Sequence, residues 1–262
     1  MARVISIANQ KGGVGKTTTA INLSASLAAA ECRVLVIDCD PQANSTSGLG
    51  YPYDPARPSL YNLLTDQVDI SQLRLPTETA GLDLIPSSRH LVGANVELVD
   101  TDSRETRLRE AMQPIRGEYD FVFLDCPPAL DLLTLNALIA SDSVLIPIQC
   151  EYFALEGISA LLDTIDRVRQ GMNSNLAIEG VLLTMFDERT TLMRQVASDL
   201  RQFFDREVFE TVIPRNVRLA EAPSFGKPIL QYDLTSKGAQ SYLQLARELL
   251  SRHRIKEQTA SR

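Results

Sequence analysis

Hydrophobic and polar positions along the chain fall into two alternating patterns. Apolar runs without period-two alternation occur at Val4 to Ala8, Arg33 to Ile37, Leu82 to Ile85, Phe121 to Leu124, Ser143 to Ile148 and Ile178 to Leu183. Such runs are expected of strands covered on both faces. Helical spacing fills the gaps: Ile21, Ala25 and Ala28 share one face of a helix over Thr19 to Ala30. Leu192, Val196, Leu200 and Phe203 form a second stripe, and Tyr242, Leu245 and Leu249 a third. Strands alternating with helices predict an α/β fold: a doubly wound, mostly parallel sheet with helices on both faces and its ligand at the strands' carboxyl ends. The pattern reads as a single domain over 1–252, followed by a charged tail at 253–262. The three prolines of Tyr51 to Ser59 mark a surface excursion.

The first strand runs straight into Asn9-Gln10-Lys11-Gly12-Gly13-Val14-Gly15-Lys16-Thr17-Thr18 and then into the first helix. Strand, glycine-rich loop and helix N-terminus together make a phosphate cradle. The glycines let backbone N–H groups curl toward an anion, and the helix end adds roughly half a positive charge. Lys16 and Thr17 stand where a P-loop NTPase places its phosphate lysine and its magnesium hydroxyl. The pattern G-x-x-x-x-G-K-[ST] asks for glycine where this chain has Gln10, and the loop carries a second lysine, Lys11. Lysine is scarce here, only Lys11, Lys16, Lys227, Lys237 and Lys256 among 26 Lys and Arg residues, so Lys11 is not casual surface charge.

Acidic residues follow two strands directly. Asp38-Cys39-Asp40-Pro41 succeeds Val34 to Ile37, and Asp125-Cys126-Pro127-Pro128 succeeds Phe121 to Leu124. Magnesium keeps several waters in an octahedral shell, so Asp125 and Asp38 are expected to hold it through water while Thr17 binds directly. Phosphoryl transfer needs mainly positioning and charge neutralisation, which these groups can supply. His90 and His253 lie outside every motif and read as surface residues.

Composition adds limits. A chain of 262 residues with 44% hydrophobic content can bury one large core. Four scattered cysteines (Cys32, Cys39, Cys126, Cys150), without a C-x-x-C or a leading signal peptide, suggest a reducing cytoplasm. No stretch is apolar enough to span a membrane. A formal charge of −7 opposes a globally basic nucleic-acid binder, so DNA contact would need a local patch.

The Lys-Gly-Gly-x-Gly-Lys-Thr form resembles the deviant Walker A motif of the ParA/MinD superfamily, in which the first lysine reaches across a nucleotide sandwich dimer to the partner's phosphates. Four further blocks extend the resemblance over nearly the whole chain: Asp38 to Gly50, Asp125 to Pro128, Gln149 to Gly157 and Pro214 to Pro228. In this order they resemble the ParA/Soj chromosome-partitioning ATPases. The resemblance implies ATP and Mg2+ as ligands, an ATP-dependent homodimer, nonspecific binding of double-stranded DNA, and hydrolysis stimulated by a ParB/Spo0J-type centromere-binding protein. It makes Lys11, Lys16 and Asp40 catalytic, Asp40 by orienting the attacking water. Lys11 to Thr18 become the phosphate site, and Pro214 and Asn216 the adenine pocket. Glu151 falls near the dimer face without a defined role, and the expected location is cytoplasmic and nucleoid-associated.

Between Phe186 and Pro228 seven basic residues (Arg189, Arg194, Arg201, Arg206, Arg215, Arg218, Lys227) balance seven acidic ones, so this segment is neutral while the rest of the chain carries the excess acid. By resemblance Arg189, Arg218 and Lys227 are the DNA-contacting residues. The alternative is a MinD-like membrane-associated positioning ATPase, which needs a membrane-seeking amphipathic C-terminus. Tyr242 to Arg254 has some of that character, although its stripe is more simply read as packing on the sheet, with no stable membrane association. An iron-protein-like reductase would need a second cluster cysteine beside Cys126 in a recognisable motif, and there is none. A plasmid-type relative with a DNA-binding domain ahead of the P-loop is not expected with Lys11 already in the loop, while a plasmid partition protein of the short kind stays open as an alternative.

Overall fold

The computed structural model describes residues 2–152 and 154–260. Each predicted apolar run is a strand: β1 (Arg3–Ile7), β2 (Val34–Asp38), β4 (Leu82–Ile85), β5 (Phe121–Asp125), β6 (Ser143–Gln149) and β7 (Ala177–Thr184). A seventh, β3 (Leu75–Pro76), is antiparallel to β4 at the sheet edge. Two residues, one a proline without an N–H, leave no periodic signal, which is why the sequence did not announce it. The order is β3-β4-β2-β5-β1-β6-β7, and all pairs but the edge one are parallel. Asp125 lies opposite both Ile7 and Asp38, so β1, β2 and β5 end level. The chain leaves β1 for β2 on one side and β5 for β6 on the other, which puts the switch point of the topology at the end of β1.

The α-helices among the described residues are, in chain order, α1 (Lys16–Ala29), α2 (Asn44–Gly48), α3 (Leu60–Thr65), α4 (Ile70–Leu73), α5 (Leu91–Glu97), α6 (Arg107–Met112), α7 (Leu132–Ala140), α8 (Ala154–Gly171), α9 (Thr191–Phe204), α10 (Val217–Glu221), α11 (Ile229–Tyr232) and α12 (Lys237–Ala260). Alternate strand residues feed two cores. Ile5, Ile7, Val34, Val36, Phe121 and Phe123 pack with Ile21, Ala25 and Ala28 of α1 and Tyr242, Leu245 and Leu249 of α12. Val4, Leu35, Ile37, Val122 and Leu124 pack on the other face with α7, α8 and α9. Burying both faces of the sheet is what the unalternating runs encode. The α12 stripe is therefore spent on the sheet, and no helix among the described residues is long and apolar enough to cross a membrane.

Two expectations change. The buried stripe of α9 is Val196, Ala197, Leu200 and Phe204, while Leu192 and Phe203 are exposed. Phe203 and Phe204 are equally apolar, and only the packing partners, with their rings 4.8 Å apart, decide which turns inward. His253 is not a surface residue: its ring packs edge-on against Phe121 and its Nε2 lies 3.2 Å from the buried Glu179 carboxylate. Helix α12 runs on through residue 260. Ser261, Arg262 and Phe153, and the side chains of Leu155 and Glu156 in the Gln149 to Gly157 block, lie outside the described residues.

Candidate nucleotide site

Gly13 and Gly15 adopt left-handed backbone, φ 74° and 90°, a region that side chains with a Cβ rarely enter. This turn starts α1 at Lys16, three residues earlier than the apolar pattern indicated. Gly15 as N-cap offers no side-chain hydrogen bond, and the first turn has no acidic residue. The orphan N–H groups of that turn are thus free for an external anion. Two neighbouring strands pin the loop. Asn9, buried after β1, donates from Nδ2 to the Pro147 carbonyl (2.8 Å) and accepts the Lys11 N–H on Oδ1 (2.9 Å). Thr184, the last residue of β7, donates to the Val14 carbonyl at 2.8 Å.

A cleft of about 590 Å³ opens over this loop. Gly12, Gly13, Gly15, Lys16, Thr17 and Thr18 form its floor, Asp40 and Pro128 stand on one side, and Pro214 and Asn216 on the other. Thr184, Met185 and Tyr242 also line it. The predicted phosphate and base contacts are therefore brought together, with Lys11 and Val14 the exceptions: Lys11 is not among the cleft's lining residues, and the Val14 side chain is buried below, which leaves only its backbone to serve a ligand. Lys16 is buried and its Nζ donates to the Lys11 carbonyl at 3.1 Å. Burial holds its pKa down, against the opposing pull of Asp125, Cys126 and Asp40.

The two strand-end aspartates sit beneath the cleft. Asp38 accepts from Thr46 N–H (2.8 Å) and Thr46 Oγ1 (2.7 Å) on one oxygen and from Asp40 N–H (3.2 Å) on the other. Burial raises its pKa, and the Asp125 charge adds to the rise. Asp125 accepts from Ser45 Oγ at 2.7 Å on Oδ2, whereas Oδ1 is buried without a hydrogen-bond partner. Burial raises this pKa too; Ser45 and Thr17 hold it partly down. Asp40 is buried at the cleft wall and accepts the Gln42 N–H at 2.9 Å. No group of three His, Cys, Asp or Glu among the described residues could hold a metal alone. The donor set instead fits magnesium, which is commonly held by one or two protein groups plus phosphate and water. The bare Oδ1 of Asp125 is where a metal-bound water would donate, with the Thr17 hydroxyl close by.

Lys11 behaves differently from Lys16. It does not line the cleft, and its ammonium pairs with Glu151 in an exposed contact. Glu151, near-featureless in the sequence, is thereby the residue that holds the second lysine. Cys126 is fully buried, and burial pushes its thiol pKa up.

Arg189, Arg218 and Lys227 all lie on the exterior, outside the cleft. Arg189 is 90% exposed at its side chain and forks onto Asp187 at 2.9 and 2.7 Å. Arg218 pairs with Glu221 at 2.9 Å and Asp233 at 3.6 Å. A bridge between Phe186 and Pro214 ties the loop carrying Arg189 to the segment leading into α10. Ser45, Thr46 and Thr184 were not singled out from sequence. The first two lie inside the Asp38 to Gly50 block, and Thr184 ends a strand on the side where the topology places a ligand, so the available signal was position rather than residue type.

Comparison with known proteins agrees with this geometry. A family model described as an AAA domain matches residues 2–178. The chromosome partitioning protein ParA of Myxococcus xanthus is 57% identical over 252 residues, 96% of this chain and 89% of its own length. The sporulation initiation inhibitor protein Soj of Bacillus subtilis is 53% identical, covering 95% of this chain and 98% of its own. Among solved structures, a cobyrinic acid a,c-diamide synthase from Mycobacterium smegmatis with bound ADP and magnesium superposes with a TM-score of 0.84 at 37% identity, over 95% of this chain and 94% of that one. The cell division ATPase MinD of Pyrococcus furiosus gives 0.76 at 28% identity, over 96% and 99%.

Proposed function

The chain belongs to the ParA/Soj family of chromosome-partitioning ATPases, and from that premise we propose that it is an ATP-dependent DNA-segregation ATPase acting through a nucleotide-dependent dimer. ATP with Mg2+ binds the cleft, the ATP-bound chains pair, the dimer holds DNA without sequence preference, and a ParB/Spo0J-type partner stimulates hydrolysis in the nucleoid-associated cytoplasmic pool.

The observation that carries this reading is the division of labour between the two loop lysines. Lys16 is buried in the cleft, while Lys11, five residues away, stands outside it in an exposed pair with Glu151. A lysine so placed can serve a phosphate approached from another subunit. Within one chain, the N–H groups of Gly12 to Thr18 cradle the phosphates and Lys16 exchanges the Lys11 carbonyl for a phosphate oxygen. Pro214 packs against the base, and Asn216 presents its Nδ2, since its Oδ1 already caps α10 through the Arg218 N–H at 2.8 Å. Thr17 would ligate magnesium, with Asp125 and Asp38 receiving its waters; the ion supplies charge neutralisation across the phosphates. Asp40, acceptor-only when ionised, orients the attacking water from the cleft wall.

The test is size-exclusion chromatography with light scattering on Asp40→Ala, whose slowed hydrolysis preserves the bound triphosphate. A dimer with ATP and a monomer with ADP is the expected result, and the ATP form should comigrate with DNA. A monomer under both conditions would refute the dimer reading.

A further inference from the structure

At the amino-terminal edge of the sheet, away from the nucleotide cleft by the length of β1, about 17 Å for five extended residues, lies a second hollow of about 350 Å³. Arg3 begins β1, Arg109 projects from α6, and Arg116 precedes β5; all three line this hollow together with Asp142 at the start of β6. Three guanidiniums against one lining carboxylate is a local positive excess in a chain of net charge −7. Surrounding acids do not exhaust the donors. Asp142 receives the Val4 N–H on Oδ2 (2.8 Å) and Arg116 on Oδ1. The buried Glu179 takes Arg3 (3.1 Å) and the Ser143 hydroxyl (2.7 Å) on its Oε2. Yet Nε of Arg3 and Nε of Arg116 are both buried with no hydrogen-bond partner. A buried N–H without an acceptor costs about 1–3 kcal/mol, so the site is short of acceptors.

We propose that this hollow binds the phosphate group of a small molecule. Arginine forks from a strand, a helix and the connection before β5 suit the several oxygens of a tetrahedral oxyanion, and the volume exceeds that of a bare ion and falls in the range of small-ligand pockets. Recession argues for a free ligand over duplex DNA. Arg3 and Arg116 are only 31% and 22% exposed at their side chains, against 90% for Arg189, and a backbone phosphate meets projecting side chains more readily than recessed ones. The site is independent of the reading of the nucleotide cleft.

The experiment titrates arginine-labelled protein, saturated with ADP and Mg2+ so that the P-loop is filled, with inorganic phosphate and with glycerol 3-phosphate at constant ionic strength. Nε–H resonances are followed by NMR, with Arg3 and Arg116 assigned through Arg→Lys variants. Saturable shifts at Arg3 and Arg116, absent at Arg189 and Arg218, are expected with both probes. Arg109→Ala, which removes one guanidinium without stranding a buried charge, should weaken binding about tenfold, and Arg109→Lys should recover part of that. Unsaturable shifts, shifts of equal size at Arg189 and Arg218, or unchanged affinity in folded Arg109→Ala would overturn the proposal. Stronger shifts of the same resonances with a short DNA duplex than with glycerol 3-phosphate would overturn it in favour of a nucleic-acid contact.

Discussion

Asp38 and Asp125 are paired in register across the β2–β5 seam, and hydroxyls of consecutive residues hold them: Thr46 on Asp38 at 2.7 Å and Ser45 on Asp125 at 2.7 Å. Two fully buried carboxyls side by side cannot both ionise cheaply. Helix α2, which carries both hydroxyls, is therefore tied to the charge state of the two carboxyls.

That pairing gives a pH dependence whose sign can be worked out. Burial first, and mutual repulsion second, push Asp38 up to about 8 from its ordinary 3.8. Above pH 4 the unfolded chain releases a proton that the native state retains, so this contribution to stability is complete at low pH and fades as pH rises toward 8. Urea midpoints in EDTA at pH 5 and pH 8 should show wild type losing more stability across that interval than Asp38→Asn, by more than about 1 kcal/mol. Equal losses in the two proteins would mean that the pair does not set the slope.

The two loop lysines should separate binding from turnover. Lys16→Ala removes the buried ammonium from the cleft and is expected to lower affinity for a fluorescent ADP by tenfold or more, the scale of one charge-assisted hydrogen bond. Lys11→Ala should leave that affinity within about threefold while weakening ATP-dependent dimerisation and slowing turnover. Normal dimerisation and normal hydrolysis by Lys11→Ala would contradict a role across the subunit interface.

Much of this was legible in the residues because it follows from local chemistry. Glycines in the loop let its N–H groups curl toward an anion, aspartates at 38, 40 and 125 follow apolar strands, and runs such as Val34 to Ile37 are expected to be covered on both faces. What was not legible depends on partners distant in sequence. Thr184 matters because β7 is brought two strands from β1, and nothing around it distinguishes a hydroxyl that supports a loop 170 residues earlier. Phe204 rather than Phe203 faces the core for the same kind of reason, and His253 is drawn inward by Glu179.

Thr184 offers a test of that long-range support. Thr184→Val keeps the shape but deletes the bond to the Val14 carbonyl, which should cost about 1 kcal/mol of stability. It should also weaken nucleotide binding severalfold, because the Val14 carbonyl that this hydroxyl holds immediately precedes the left-handed turn at Gly15. Thr184→Ser, which retains the hydroxyl, should restore most of the nucleotide affinity. If Val and Ser variants bind equally well, the hydroxyl is not what positions the loop.

DNA retention should hinge on a competition at Arg218. Its pairs with Glu221 and Asp233 are solvent-exposed, and such pairs contribute little to stability. A duplex phosphate, backed by counterion release, can therefore displace them without unfolding anything. Arg218→Glu is expected to reduce ATP-dependent DNA retention and to make its salt dependence shallower, by about one unit of slope for each phosphate no longer neutralised, with hydrolysis in the absence of DNA unchanged. Glu221→Gln, which removes the 2.9 Å competitor, should move the other way and tighten DNA binding a few-fold. Filter binding across a salt series reads both variants. Intact retention by Arg218→Glu with normal hydrolysis would remove this residue from the DNA surface and leave Arg189 and Lys227 as the phosphate-binding side chains to test next.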